Sequence, residues 1–308
     1  MTEKPYPNGL AMWSAASARA KAAAQTSGRS AHDLMKEFVY ERLLARVFAD
    51  IDEPWALEQP WILKGGAALL VRVEDARHSK DVDLLAQLQD VDDAVEQLRR
   101  ALAIDLGDFF TFDIQSIQIN DGTEQQFGVV GRTLKILPTV GIKKLERVKV
   151  DLVTGSLMTA DPEHLAAPAL VQVRGITTPT YRLYPAVDHL ADKLCATEST
   201  YAGKPSSRVR DLVDIVVLAR TQTVTLSALR TAITGERLKR GLPPLPAFQP
   251  PAEWASLYPK AASATRWSAD LGFAGAVELA GRLLDPALVD AGDDDARWDP
   301  ANGVWVTG

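Results

Sequence analysis

Asp81 and Asp83 lie two residues apart in the run SKDVDLLAQL. That run alternates and then turns apolar, as a strand entering a sheet does. On a strand, residues i and i+2 point to one face, so the two carboxylates are held close together. Like charges at that distance repel unless a cation lies between them. Hard oxygen ligands suit Mg²⁺, with Mn²⁺ as its substitute, and both ions accompany phosphates. A third carboxylate, Asp151, sits in KVDLV between Val150 and Leu152, an unusual setting for a lone acid. Three strand carboxylates can hold two metal ions across the attacking and leaving oxygens of a phosphoryl displacement. The plainer alternatives are a solvated Asp81/Asp83 pair and an ion pair of Asp151 with Lys149 or Arg147.

Upstream, Gly65 and Gly66 follow the short apolar run Trp61-Ile62-Leu63 and precede a helical pattern from Ala67 to Val73. Glycines there let the backbone approach a phosphate, and a helix N-terminus favours anions. Ser79 precedes the Asp pair and is placed to donate to the same phosphates. Lys64 and Arg77 flank these positions, as nucleotide contacts or as surface cations. Each motif alone is weak. The order strand, GG, helix, SxDxD, sheet, strand Asp is far more specific.

The elements that must position these residues follow from periodicity. Ser30 caps an amphipathic helix carrying Leu34, Phe38, Val39, Leu43 and Leu44, and Asp90 caps another. Residues 109–154 contain three alternating β-branched runs separated by Asn, Gly and Pro. From Pro185 the texture becomes helical, in three successive patterns, a Pro-rich connector and two more helical segments. The expected organisation is a loose or helical lead-in over residues 1–28, an α/β domain over 29–180, and a helical domain over 181–308. The end of that last part is an acidic, mobile tail. The fold class expected is α/β (α+β) with a mixed sheet.

Taken by itself, Lys193 in HLADKLCA reads as a solvated helix lysine beside a core face, and His189 lies one turn before it. Asp211 reads as an i,i+3 partner of Arg208. Cys195, Trp254 and Trp267 read as packing residues.

The stretches LKGGAALLVR and RHSKDVDLL resemble the AbiEii-type nucleotidyltransferase toxins, which include the MenT toxins, within the polymerase-beta-like nucleotidyltransferase superfamily. HLADKLCA with Lys193, and SRVRDLVDI with Arg210, Asp211 and Asp214, match a second signature of that family. The likeness spans roughly residues 30–260; Ala67 replaces a usual Thr and His78 fills a variable slot. The resemblance implies a polymerase-beta-like core and a toxin that moves a nucleoside monophosphate from an NTP to an acceptor. In MenT relatives the acceptor is the 3′ end of tRNA, and translation is blocked. By the same resemblance Asp81, Asp83 and Asp151 hold the metal. Gly65, Gly66, Ser79, Lys64, Arg77 and Arg210 meet the nucleotide. Lys193 neutralises phosphate charge and Asp211 positions it. The partners implied are an NTP, a tRNA acceptor end and a cognate antitoxin. A small-molecule or protein hydroxyl as acceptor, and a non-catalytic NTP-binding module, remain alternatives.

The 308-residue chain is 46% hydrophobic and 24% charged, the balance of an ordinary globular protein. One cysteine excludes an intrachain disulfide and a cysteine-rich zinc site. No apolar run is long enough for a membrane span, and no signal-type segment opens the chain. A cytoplasmic monomer is expected. The net charge of −6 argues against nucleic acid when read globally. The charges are segregated, however. Residues 132–154 carry six Lys/Arg against two acids, and 201–240 carry eight against three. These segments, if not merely solvated faces, would supply phosphate contacts to RNA.

Overall fold

A computed structural model describes residues 5–50, 60–76, 79, 81–120, 128–166, 168, 171–200 and 203–307. In chain order the elements are α1 (Gly9–Ser27), α2 (Ala31–Val47), β1 (Trp61–Lys64), α3 (Gly65–Arg72), β2 (Val82–Ala86) and α4 (Val91–Leu102). Then come β3 (Phe110–Asn120), β4 (Val130–Val140), β5 (Lys143–Lys144), β6 (Val148–Thr154), β7 (Glu163–Ala166) and β8 (Thr180–Leu183). The rest is α5 (Ala186–Glu198), α6 (Val209–Thr221), α7 (Leu226–Arg240), α8 (Trp254–Ala262), α9 (Arg266–Ala269), α10 (Phe273–Leu288), β9 (Arg297–Asp299) and β10 (Val304–Val306).

One mixed sheet runs in the order β3-β4-β6-β2-β1-β8-β7, with β5 beside β4. Strand β2 is central: it pairs antiparallel with β1 and parallel with β6. Alternation sorts its neighbourhood into two faces. Leu63, Val82, Leu84, Val150 and Leu152 enter a core with α1, α2 and α4. The intervening Ile62 and Leu85 pack with Tyr184 on the other side. Lys64, Asp83 and Asp151 share the parity of that second face. The fold is therefore the mixed α/β architecture expected from the sequence.

Local signals explain the helices. Ser30 and Asp90 accept hydrogen bonds from first-turn N–H groups of α2 and α4 as N-caps. Helices α5 to α10 enclose a second core built on Leu190, Leu212, Val216, Leu229 and Leu283. No helix among the described residues is long and apolar enough to cross a membrane.

The lead-in takes the helical of its two readings: capped by Asn8, it seats Met12, Ala16 and Ala20 in the first core. Two local expectations change. The sheet continues past residue 180, because β8 pairs in parallel with β1 before α5 begins. The acidic tail is fastened: β9 and β10 form a hairpin, Trp298 is buried, and its indole N–H donates to the Ala219 carbonyl at 2.6 Å. Two tryptophans among the acids, Trp298 against Trp305, supply the apolar area that anchors it.

Candidate active site

The register of β2 and β6 sets the centre of the site. Val82 opposes Val150 and Asp83 opposes Asp151. Asp81, immediately before β2, extends the same face by one step. Asp83 also opposes Lys64 across the β1–β2 pair. Gly65 follows with φ +59°, a left-handed conformation that favours glycine. A Cβ at Gly65 would overlap the Asp83 carboxylate, so this glycine lets a backbone turn pass directly over an acid. Helix α3 starts at Gly65 itself, two residues earlier than the periodicity suggests. No side chain among the described residues caps it, which leaves its first-turn N–H groups for an anion.

A cavity of about 600 Å³ gathers these groups. Lys64, Gly65, Gly66, Ser79, Asp81, Asp83, Asp151, Lys193, Arg210 and Asp211 all line it. Those are ten of the eleven candidate residues; Arg77 lies outside the described residues. Parts of the chain far apart in sequence, the strand acids and the α5–α6 pair, therefore face one space.

Its two walls differ in charge. On the acidic wall, burial raises the Asp83 pKa to about 6, reinforced by the charges of Asp81 and Asp151 and opposed by Lys193 and Lys64. Asp151 accepts hydrogen bonds from Thr133 Oγ1 and from Lys149 Nζ, each at 2.6 Å. Lys149 also lies 3.7 Å from Asp81. Ser79 is buried, and its hydroxyl donates to the Asp81 backbone carbonyl at 2.8 Å.

Lys64 shares the sheet face with Asp83, and the opposite wall carries Lys193, Arg208 and Arg210. Lys193 is buried and not solvated, because α6 brings two acids to it: its ammonium lies 2.8 Å from both Asp211 and Asp214. Asp211 also holds Arg208 at 2.7 Å, the i,i+3 pair that the sequence offered, while it pairs with Lys193. Lys64 donates to Ser156 and sits 4.2 Å above the Tyr184 ring. Arg210 is exposed at the rim. Asp192, next to Lys193, lines the same cavity. Burial pushes its pKa upward, but Lys64, Arg240, Lys193 and Arg208 outweigh that and hold it well below the usual carboxylate range.

Three participants had no signal of their own in the sequence: Ser156, Asp192 and Arg208 as a wall residue. Lys149 is one of the two ion-pair partners that the sequence offered for Asp151, and that pair forms. His189 is buried but does not line the cavity. Cys195 and Trp254 are core residues, and Trp267 donates to the Glu74 carbonyl.

Among the described residues no three His, Cys, Asp or Glu side chains are gathered tightly enough to hold a metal ion as they stand. Lys149 stands among the acids instead. The donor set nonetheless suits a hard cation: three carboxylates on one face, one of them raised in pKa by burial and then by its acidic neighbours, and a glycine that leaves room for that carboxylate.

The basic segments resolve largely into ion pairs. Arg220 holds Asp270, Arg230 holds Asp290 and Asp294, Arg237 holds Glu198, and Arg240 holds Asp192 and Glu236. Lys135, Lys143, Lys144 and Arg147 remain exposed on the β4–β6 side.

Among solved structures, the chain is similar to JHP933 from Helicobacter pylori. The two share 15% identity over 84% of this chain and 94% of that chain, with a TM-score of 0.44. It is also similar to MenT4, a nucleotidyltransferase toxin from Mycobacterium tuberculosis. Here identity is 19% over 89% of this chain and 99% of that chain, with a TM-score of 0.49. No curated protein matches the chain. The model of the AbiEii family, nucleotidyl transferase toxins of type IV toxin–antitoxin systems, matches residues 47–280. That match spans both walls of the cavity and most of the chain, and the chain belongs to the AbiEii nucleotidyl transferase toxin family.

Proposed function

We propose that this toxin transfers a nucleoside monophosphate from an NTP to the 3′ end of tRNA, and that the reaction depends on Mg²⁺, with Mn²⁺ able to replace it. The observation that carries the proposal is the cavity itself, with Asp81, Asp83 and Asp151 on the sheet face beside Lys64, and Lys193, Arg208 and Arg210 on the α5–α6 side. A triphosphate carries several negative charges. It needs cationic side chains along its length and a divalent ion between its oxygens and the acids. The family's general use of NTP and a divalent metal agrees with this donor set.

In this reading Asp81, Asp83 and Asp151 hold the metal, which when bound neutralises phosphate charge and orients the reacting phosphoryl group. Gly65 and Gly66 bring backbone N–H groups to the phosphates. Ser79, Lys64, Arg77 and Arg210 complete the nucleotide contacts. The acceptor hydroxyl oxygen forms a bond to the α-phosphorus while the bond from that phosphorus to the bridging oxygen breaks. Lys193 stabilises the charge that gathers on the departing pyrophosphate, and Asp211 with Asp214 fixes its ammonium. Asp151 helps remove the acceptor's proton. The exposed lysines of β4 and β5 give the RNA backbone its contacts. A cognate antitoxin follows from the toxin family.

The test incubates the protein with each labelled NTP and total tRNA, and sequences the 3′ ends. Label added to tRNA, lost together with growth inhibition in Asp81→Ala, is the expected result. Toxicity retained by Asp81→Ala overturns the reading. Label confined to a small molecule or a protein overturns the tRNA part alone.

A further inference from the structure

Lys149 is on the acidic face because strand alternation puts it there. It lies two residues before Asp151 on β6, and the register of Val82 with Val150 sets it beside Asp81. Its ammonium donates to Asp151 Oδ2 at 2.6 Å and lies 3.7 Å from Asp81 Oδ2. Among the described residues it is the cation within ion-pair distance of these two acids. The side chain is 47% exposed, so its stem is not locked by packing and is able to swing into solvent.

A divalent ion held by the same carboxylates needs the lone pairs that Lys149 engages. It would also stand within a few ångströms of a like charge. The two cations therefore exclude one another at this site. We propose that Lys149 is a tethered cation that fills the metal site of the metal-free toxin and is displaced when the divalent ion binds. The proposal rests on the reading of Asp81, Asp83 and Asp151 as the metal-holding acids. It gives three acids on one strand face a counter-charge of the chain's own, and it keeps them from closing into a cage. It also makes metal affinity a property that Lys149 sets, since every binding event must first break its ion pair.

The experiment measures Mn²⁺ binding to the full-length protein without nucleotide, from the electron paramagnetic resonance signal of free Mn²⁺. Lys149→Gln is expected to bind Mn²⁺ several-fold to about tenfold more tightly than wild type, because a competing charge is gone. Its metal-free melting temperature should fall and recover on adding Mn²⁺. Lys149→Arg should keep the wild-type affinity or weaken it. In the wild-type protein, acetylation of Lys149 by an amine-reactive ester, read by mass spectrometry, should accelerate when Mn²⁺ saturates the site. Unchanged or weaker Mn²⁺ affinity in Lys149→Gln, or unchanged Lys149 reactivity on saturation, overturns the displacement. Asp83→Asn separates the two failures. If it leaves Mn²⁺ binding at the wild-type level, the metal reading itself is wrong and the displacement falls with it.

Discussion

Asp83 and Asp151 stand side by side in register on the parallel strands β2 and β6, with Gly65 kept clear of the Asp83 carboxylate. This arrangement works against stability, and in the proposed function it serves metal and nucleotide binding. Burial and the neighbouring acids raise the Asp83 pKa to about 6. A carboxylate raised above its ordinary value opposes folding while it is charged, and the penalty fades as pH falls through 6. Asp83→Asn removes the charge and keeps the shape. It is expected to stabilise the metal-free protein at pH 7 by roughly 1–2 kcal/mol, discounted for solvent because the carboxyl is only partly buried. Nucleotide transfer should be lost in the same variant. Urea unfolding beside a transfer assay checks both; a variant less stable than wild type at pH 7 contradicts the account.

Lys193 is the counter-case, a buried charge whose partners are complete. Lys193→Met leaves Asp211 and Asp214 buried with their central cation removed, and Asp214 is fully shielded from solvent. Breaking such a group costs about 3–5 kcal/mol. Replacing both members of one pair with apolar groups costs far less, so Lys193→Met/Asp214→Leu should recover much of that loss. It should recover no transfer activity if the ammonium meets the phosphates as proposed. Unfolding curves of the single and double variants, with transfer rates alongside, separate the structural role of Lys193 from its chemical one. Transfer by the double variant would place the phosphate charge elsewhere.

The acidic wall was legible in the sequence because it depends on a period of two. Asp81 with Asp83, and Asp151 between Val150 and Leu152, report their faces from the chain alone. Lys193 was legible only through the family likeness, since helix spacing placed it at the border of the core face without saying what lay across from it. The answer, Asp211 and Asp214, sits on another helix. The same limit affected the charge count of 201–240. Arg220, Arg230, Arg237 and Arg240 look like a basic face until Asp270, Asp290, Glu198 and Asp192 arrive from distant segments. Lys149 was legible as a pair partner of Asp151, but its reach to Asp81 depends on the β2–β6 register. The depth of α1 was hidden in alanines, whose spacing is helical but whose side chains carry little hydrophobic signal.

Gly65 offers a test of the close approach between backbone and acid. Gly65→Ala must adopt φ +59° and also place a methyl group where the Asp83 carboxylate lies. The backbone term alone costs about 1–2 kcal/mol, and the overlap forces either Asp83 or the start of α3 to move. Gly241, also at positive φ but with nothing near its missing Cβ, isolates the backbone term. The expectation is that Gly65→Ala abolishes transfer, whereas Gly241→Ala loses only stability. Comparing Mn²⁺ binding and melting temperature across the two variants decides it. Equal effects of the two substitutions on metal binding would remove the argument for Asp83 beneath Gly65.

His189 gives a pH prediction independent of the cavity. Its ring is buried against the edge of Tyr184, and neither ring nitrogen has a hydrogen-bond partner among the described residues. Burial, with Lys193 and Arg72 nearby, pulls its pKa down to about 3 from an ordinary 6.5. The folded protein therefore keeps His189 neutral, while the unfolded chain takes up a proton below pH 6.5. Stability must fall as pH falls from 6.5 toward 3, by about 1.4 kcal/mol per pH unit from this group alone. His189→Leu removes that term and two unpaired nitrogens together. Its stability should match or exceed wild type at pH 7, and the advantage should widen by about 2 kcal/mol by pH 5. Urea unfolding at pH 7, 6 and 5 measures the widening. Parallel pH profiles for the two proteins would mean that His189 is protonated, or reached by water, in the folded state.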